Sequence, residues 1–568
     1  MSDFELVIIG AGLSGLAFMR FYLDIHPRTK IAILEADSCL GGVWSSFNFS
    51  FEARSYDEFW SQSGQRMTGF SDIPLAVPSD APVFHDTFEA KYVTQYLEDY
   101  VDSHIYNGSS LRSRIFLEHF VQKVEKINGK WIIHVEDSAK SQRILKSPKL
   151  VVATGHTSIP NMPSLPNQND FDGHIVHHKD FGKASRSVLA DPNCKNIAIL
   201  GGGKSAVDMV YESVKKGKNV SWIIRESGEG PALLFPAPGR GRYKTSLESS
   251  ATRYKASYSP SSFMPDCWLR KLFHQSNYGM KYMAKMVQDN DQHCRALAEY
   301  QTREAALPGF RDLDFTTSAF WFTGPLGLVQ HDDFWDIIAR NAHIYHKDIK
   351  SMKSNAIVLD GGSEVLSDAL LCGTGWKSNY PFLSQKQIAS LGLPRPLKDS
   401  DQESETWTSL LETADRQVLA NFPQLGHPPP HRKPDTPTTT AKLYKGIAPL
   451  DDQSVAFLGH INISNSFRTA DAQAIWTTAY FDGSISLPPL EQAQNEVAYM
   501  NAFSKRRYPS QGQKGDCLFF ELVWYTDNLL GDVGLKSHRK GLYSDWVEPC
   551  LAADLKGVTV EYRKKYGF

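Results

Sequence analysis

Two glycine-rich stretches hold the residues best suited to chemistry on a phosphorylated ligand. The first reads Val7-Ile8-Ile9-Gly10-Ala11-Gly12-Leu13-Ser14-Gly15. Gly10 allows a sharp turn, and Gly12 leaves the backbone bare for a pyrophosphate. Gly15 lets the next helix sit close to the strand. Glu35, twenty residues beyond Gly15, closes the motif. A carboxylate there accepts from both ribose hydroxyls and repels a 2′-phosphate, so the site suits FAD or NAD and disfavours NADP. The second stretch reads Ile197-Ala198-Ile199-Leu200-Gly201-Gly202-Gly203-Lys204-Ser205-Ala206. Its third small position is alanine, and the strand that follows ends in Arg225 instead of an acid. A guanidinium there matches a 2′-phosphate in bidentate geometry and favours NADPH over NADH. Lys204 brings a second positive charge to the turn. The plainer alternative is a solvated charge at each position.

The elements that position these turns are legible from apolar periodicity. Leu6–Ile9 and the run 30–34 read as buried strands around the first turn, as do the runs 197–200 and 219–224 around the second. Each glycine turn opens a helical stretch, the context a dinucleotide site requires. At 568 residues, with 41% hydrophobic residues and a net charge of −2, the chain can bury several cores. It carries no basic tract for nucleic acid. No apolar stretch is long enough to span a bilayer, and the expected location is cytoplasmic. The seven cysteines are scattered without a Cys-x-x-Cys pair. This spacing indicates neither a zinc site nor a disulfide reductase, and no metal is expected.

Further motifs resemble the flavin-containing monooxygenases, the class B flavoproteins that also hold the Baeyer–Villiger enzymes. Leu40-Gly41-Gly42-Val43-Trp44 is similar to the family's Gly-Gly-x-Trp element. Gln62 and the run Phe70-Ser71-Asp72-Ile73-Pro74 fall where relatives carry a polar amide and a Phe-Ser-Asp-Phe-Pro element. Phe171-x-Gly173-x-x-x-His177-x-x-x-Phe181 is close to the family's identifying sequence. Its final phenylalanine is nearer the N- and S-oxygenating branch than the Baeyer–Villiger branch. Val151-Val152-Ala153-Thr154-Gly155 and the run 370–376 resemble strands where the chain crosses between domains. The run 457–459, with Ala472-Gln473-Ala474-Ile475-Trp476, resembles the last flavin-facing strand and helix. The middle insert and the C-terminal part resemble the variant found in fungal secondary-metabolite pathways.

The resemblance implies an α/β fold with two Rossmann-like, three-layer dinucleotide-binding domains. The FAD domain is discontinuous, at 1–157 and 366–568. The NADPH domain occupies 158–365 and carries a mainly helical insert at 235–327. FAD contacts are expected from Gly10, Gly12, Ser14, Gly15, Glu35, Gly42, Trp44, Val121, Thr154, Gly155 and Gln473. NADPH contacts are expected from Gly201, Gly203, Lys204, Ser205, Ala206 and Arg225. Gln62 is the expected catalytic amide near flavin N5, with glutamine in place of the usual asparagine. His177 is expected to orient the linker by hydrogen bonds. The implied reaction passes a hydride from NADPH to FAD; the reduced flavin adds O2 as a C4a-(hydro)peroxide, which transfers one oxygen atom to a small organic substrate while the other leaves as water. The Baeyer–Villiger alternative needs an arginine beside the flavin; Arg54 and Arg468 lie in flavin-side segments but align with no such residue. An uncoupled NADPH oxidase is the other alternative. Oligomeric state stays open.

Overall fold

The computed structural model describes residues 2–45, 59–321, 324, 326–377, 380–397, 404–430 and 437–568. Two five-stranded parallel sheets organise it. In the first, the order is Val455–Phe457, Lys149–Val152, Leu6–Ile9, Ile31–Leu34 and Ile115–Phe116. The inner strands are continuous apolar runs because both faces of the sheet are covered; Leu6, Val7 and Ile8 are wholly buried. The helix Leu13–Ile25 packs against the buried helix Ser466–Phe481 on one face. On the other lies an antiparallel sheet of His119–Ile127, Lys130–Asp137 and Gln142–Ser147. Ile115–Phe116 extends the parallel sheet beside Ile33 and Leu34.

The second sheet has the order His174–His177, Ala369–Cys372, Asn196–Leu200, Asn219–Ile224 and Ala342–His346. The expected boundary at 365/366 therefore falls too early. Ala369–Cys372 pairs on both sides with strands of the second domain, and the chain returns to the first only after it. Strand pairing over the whole sheet outweighs the local likeness to a crossing segment.

The insert has a well-defined base, because Leu233–Pro236 and Leu326–Val329 pair in parallel where it leaves and rejoins the domain. The helical part of the insert is broken at Ser276. That residue caps a new helix, Asn277–Ala298, by accepting from Gly279 N at 3.1 Å. A Cβ at Gly279 would lie 2.0 Å from Leu272 O, so the preceding turn packs directly on the new helix. The second half of the insert joins the second core through Cys294, Ala298, Tyr300, Phe310 and Phe315.

The first half is fastened to the other domain. The buried Arg253 guanidinium binds Asp527, Asp545 at 2.9 Å and Ser537 O at 2.8 Å. Arg66 clasps the buried Glu248 carboxylate with two bonds of 3.0 and 2.9 Å. Trp524 Nε1 donates to Ala256 O at 2.9 Å. The insert thus bridges both domains.

Candidate active site

At the first turn, steric demand matches the glycine pattern. Gly10 has φ +106°, and a Cβ on it would lie 2.5 Å from Ala153 O. A Cβ on Gly15 would lie 2.1 Å from Gly10 O. Gly12 and Gly42 meet through bare α-carbons: a Cβ on Gly42 would lie 3.3 Å from Gly12 Cα. Two glycines facing each other leave unobstructed backbone at the start of the helix, where N–H groups receive phosphate. Glu35 is buried at the end of its strand, and its Oε2 accepts from Ala11 N at 2.7 Å. Its Oε1 accepts from Asp37 N at 3.0 Å. These two backbone bonds fix the carboxylate at the strand end, beside the glycine turn. The residues present fit an FAD.

Other parts of the first domain converge on the same strand ends. A Cβ on Gly459 would lie 2.9 Å from Ser14 Oγ and 4.0 Å from Gly155 Cα. The Thr154 carbonyl accepts from Ser158 Oγ. Trp44, in the short turn Gly42–Trp44, is half-buried with its ring 6.1 Å from that of Phe59. Thr94 Oγ1 donates to the Trp44 carbonyl at 2.6 Å. Val121 is buried in the same apolar cluster as Ile9 and Leu34. Gln473 is placed differently from the expectation of a direct cofactor contact. It is buried, accepts from Gly459 N at 3.0 Å and donates to Tyr525 OH at 2.9 Å. Both ends of its amide are engaged in fixing the Gly459 turn.

The second turn repeats the pattern with other contacts. Gly201 has φ +135°, and a Cβ on it would lie 2.3 Å from Gly373 O. Trp222 Nε1 donates to Gly201 O at 2.6 Å. Gly203 caps the helix Lys204–Lys215, and Ser205 sits in its first turn. Ala206 packs on Gly373, where even a methyl group would approach to 2.7 Å. A cavity of about 280 Å³ lies beside this turn, lined by Gly230, Leu233, Arg311, Phe315 and His346. Arg225 is exposed just beyond Ile224 and makes no side-chain hydrogen bond or ion pair among the described residues.

Lys204 does not present a free charge to phosphate. Its ammonium pairs with Asp208 and donates to Gln330 Oε1 at 3.1 Å. Its spacing from Asp208 is that of helix neighbours one turn apart, a signal present in the sequence. Gln330 Nε2 continues to Ser61 O at 3.3 Å, and Leu328 N donates to Gln62 Oε1 at 3.3 Å. Gln62 therefore has its carbonyl tied to the strand leaving the insert, while its amide nitrogen makes no hydrogen bond among the described residues. His331 joins this seam, stacked on Tyr211 at 5.0 Å and edge-on to Trp60 at 5.0 Å. Gln330 and His331 were not singled out from sequence, where nothing marks them.

His177 accepts from Lys179 N at Nδ1 (3.1 Å), which leaves Nε2 protonated to donate to Gly375 O at 2.9 Å. Burial lowers its pKa, so the ring is a neutral brace at the crossing between domains. Arg468 is buried, bonded to Thr526 Oγ1 at 3.1 Å and Leu551 O at 2.7 Å. It is a structural residue. Arg54 and Phe322 lie outside the described residues. The aromatic residues around the insert's end divide between the two cores. Phe315 and Phe334 are core of the second domain, whereas Phe320 and Trp321 pack half-buried against the first.

Two glycine turns at the carboxyl ends of two parallel sheets, one with an acid and one with a guanidinium, define a flavoprotein oxidoreductase with two dinucleotide folds. Comparisons agree. The pyridine nucleotide-disulphide oxidoreductase family matches residues 7–232, which include both turns. An FAD-dependent monooxygenase of Pyrenophora dematioidea is 28% identical, over 94% of this chain and 99% of the relative. The FAD-dependent monooxygenase resA of Aspergillus sclerotiorum is 29% identical, over 98% of this chain and all of the relative. The fold is that of cyclohexanone monooxygenase from Rhodococcus sp. Phi1 bound to NADP+, with a TM-score of 0.60 at 14% identity, over 93% of this chain and 97% of that one. The chain is similar to FAD-dependent monooxygenases along nearly its whole length, and the residues at its first glycine turn fit FAD.

Proposed function

We propose that this protein is an NADPH-consuming monooxygenase that places one oxygen atom of O2 on a small organic substrate of secondary metabolism. The observation that carries the reading is the pairing of Glu35 at one glycine turn with Arg225 at the other. The first selects a ribose without a 2′-phosphate, and the second selects one that bears it.

Gly10, Gly12, Ser14, Gly15, Glu35, Gly42, Thr154 and Gly155 would hold FAD, with Trp44 and Val121 as apolar neighbours. Gln473 acts on the site through Gly459. Gly201, Gly203, Ser205, Ala206 and Arg225 would hold NADPH. When bound and reduced, the flavin supplies electrons to activate dioxygen. The Gln62 amide nitrogen is the group on this chain available to donate toward the reacting centre. Leu328 N fixes its carbonyl and so its orientation. The half-buried rings of Trp44, Phe320 and Trp321 exclude water. The seam from Ser61 through Gln330 to Lys204 holds the Gln62 loop against the second glycine turn.

Electrophilic oxygen transfer to nitrogen or sulfur is favoured over ketone oxidation by Phe181, which ends the identifying sequence, and Arg468 is engaged in structural bonds. The test is anaerobic reduction of the FAD-loaded protein by NADPH and by NADH. Subsequent oxygen exposure is read as hydrogen peroxide formed per NADPH oxidised, against a panel of amines, sulfides and ketones. Preferential bleaching by NADPH, and a substrate that lowers the peroxide yield, are expected. Equal bleaching by both nucleotides, with peroxide formed quantitatively under every condition, overturns the reading.

A further inference from the structure

Four arginines are buried among the described residues: Arg20, Arg253, Arg468 and Arg507. Three are bonded. Arg20 reaches Tyr100, Ser71 and Asp471, Arg253 its two aspartates, and Arg468 Thr526 and Leu551. Arg507, in the last turn of the helix Leu490–Arg507, is the exception. It is 3% exposed, and its Nε and Nη1 are closed from solvent with no hydrogen-bond partner. Aromatic rings cage it instead, with Phe320 4.4 Å, Phe520 5.2 Å and Tyr508 5.5 Å from the guanidinium carbon. Stacking serves the faces of a guanidinium, whereas its five N–H groups point outward in the plane.

A complementary orphan lies nearby. Glu521 is wholly buried; its Oε2 accepts from Ser262 N at 3.0 Å, Ser262 Oγ at 2.6 Å and Ser261 Oγ at 3.3 Å. Its Oε1 has no partner. The Arg507 and Glu521 charges influence each other, yet no ion pair within 4.0 Å joins them. Their surroundings come from both sides of the molecule: Phe320, Ser261 and Ser262 from the insert, the rest from the C-terminal part of the FAD domain.

The location adjoins the flavin-facing segment. Residues 516–519 bond along 462–464, with Asn462 N to Asp516 O at 2.8 Å, Leu518 N to Asn462 O at 2.9 Å and Ser464 N to Phe519 O at 3.2 Å. That stretch leads from the Gly459 turn into the helix Ser466–Phe481. Phe320, Trp321, Phe519, Phe520 and Ile463 are half-buried against the same apolar core as Trp44.

Resting on the monooxygenase reading, we propose that Arg507, within its cage of Phe320, Tyr508 and Phe520, anchors an anionic or strongly polarised oxygen on a planar aromatic substrate, with Glu521 receiving a hydroxyl of the same molecule. A buried guanidinium with unmade hydrogen bonds is costly. An oxygen acceptor entering between the two side chains relieves that cost, and the rings supply stacking for a flat ligand. Selection would then act on a ring that carries both an acceptor and a hydroxyl.

The test uses FAD-loaded protein and calorimetric titration with 3-hydroxybenzoate and its neutral isostere, 3-hydroxybenzamide. Saturable binding of hydroxybenzoate is expected. Arg507→Met should weaken it by about tenfold or more, while the amide changes much less. The same variant should melt higher in the absence of ligand, because an unpaired buried charge has been replaced by an apolar side chain of similar length. A purely structural arginine would give the opposite melting shift. Arg507→Lys, which keeps charge but not the planar fork, gives a second reading if the methionine variant does not fold: hydroxybenzoate should again weaken more than the amide. Absence of saturable hydroxybenzoate binding overturns the proposal. So does an equal loss for both probes accompanied by lower melting. Binding requires no turnover, so a protein that binds the probe but fails reduction by NADPH loses only the monooxygenase reading.

Discussion

Replacing Arg225 with alanine isolates the basis for choosing between nucleotides. The guanidinium stands exposed beyond the strand Asn219–Ile224 and has no internal partner among the described residues, so its removal breaks nothing in the ligand-free protein. A charge-assisted bond to phosphate contributes about 1.5–3 kcal/mol. Exposure and salt screening bring this toward the lower end, about 1–2 kcal/mol, or roughly fivefold to thirtyfold in affinity. The assay is stopped-flow reduction of bound flavin at graded NADPH and NADH, which yields a dissociation constant for each. NADPH should weaken by that factor and NADH by less than about twofold, and the difference should shrink at high salt. Equal weakening of the two nucleotides would refute the assignment of Arg225 to the 2′-phosphate and leave the coenzyme choice without a structural basis.

Gly15→Ala should strip FAD and lower stability by roughly 1–3 kcal/mol, since the new methyl meets Gly10 O at 2.1 Å; flavin content after gel filtration reads it. Arg253→Ala removes the buried cation that joins Asp527 and Asp545, leaving Asp527 only the longer Arg468 contact of 3.7 Å, and should cost about 3–5 kcal/mol in denaturant unfolding. A loss below about 1 kcal/mol would mean the insert is not held by that contact. Burial pushes the Glu521 carboxyl up to about 7 from an ordinary 4.5. Its protonated form therefore stabilises the fold fully below the unfolded value, and that stabilisation is lost as pH rises through the folded one. Glu521→Gln should accordingly gain about 1 kcal/mol relative to the parent between about pH 6 and pH 8, read as a growing difference in melting temperature. A constant difference across that range would show that Glu521 does not titrate there.

The sequence was most informative where function depends on neighbours along the chain. Gly10, Gly12, Gly15 and Glu35 form one strand–turn–helix–strand unit, so their spacing alone foretells their meeting. The bond from Ala11 N to Glu35 is its direct expression. Arg225 follows from the same local logic. Lys204 was read as a free charge because the turn drew attention away from Asp208, one helical turn on. The sequence shows the Gln62 and Gln473 amides but not what orients them: Leu328 N fixes the Gln62 carbonyl and leaves its amide nitrogen available, while Gly459 N and Tyr525 OH hold Gln473. The boundary after 365 failed for a related reason: Ala369–Cys372 looks like any buried strand, and only its pairing partners say which sheet it enters. Nothing local in Arg253 distinguishes a solvated arginine from one buried against aspartates hundreds of residues away, and nothing local in Arg507 marks it as buried without a hydrogen-bond partner.

The insert's double attachment has a consequence for how the molecule comes apart. Its second half shares the core of the nucleotide domain, and its first half is fastened through Arg253, Glu248 and Ser262 to the other domain. Neither domain can lose its structure without stranding buried carboxylates or aromatic surface of its neighbour. Calorimetry should therefore give one cooperative heat-absorption peak where separately folding domains would give two. A fragment cut out at the domain borders would carry Arg253 away from both aspartates, and it would be a poorer object for study than the intact chain.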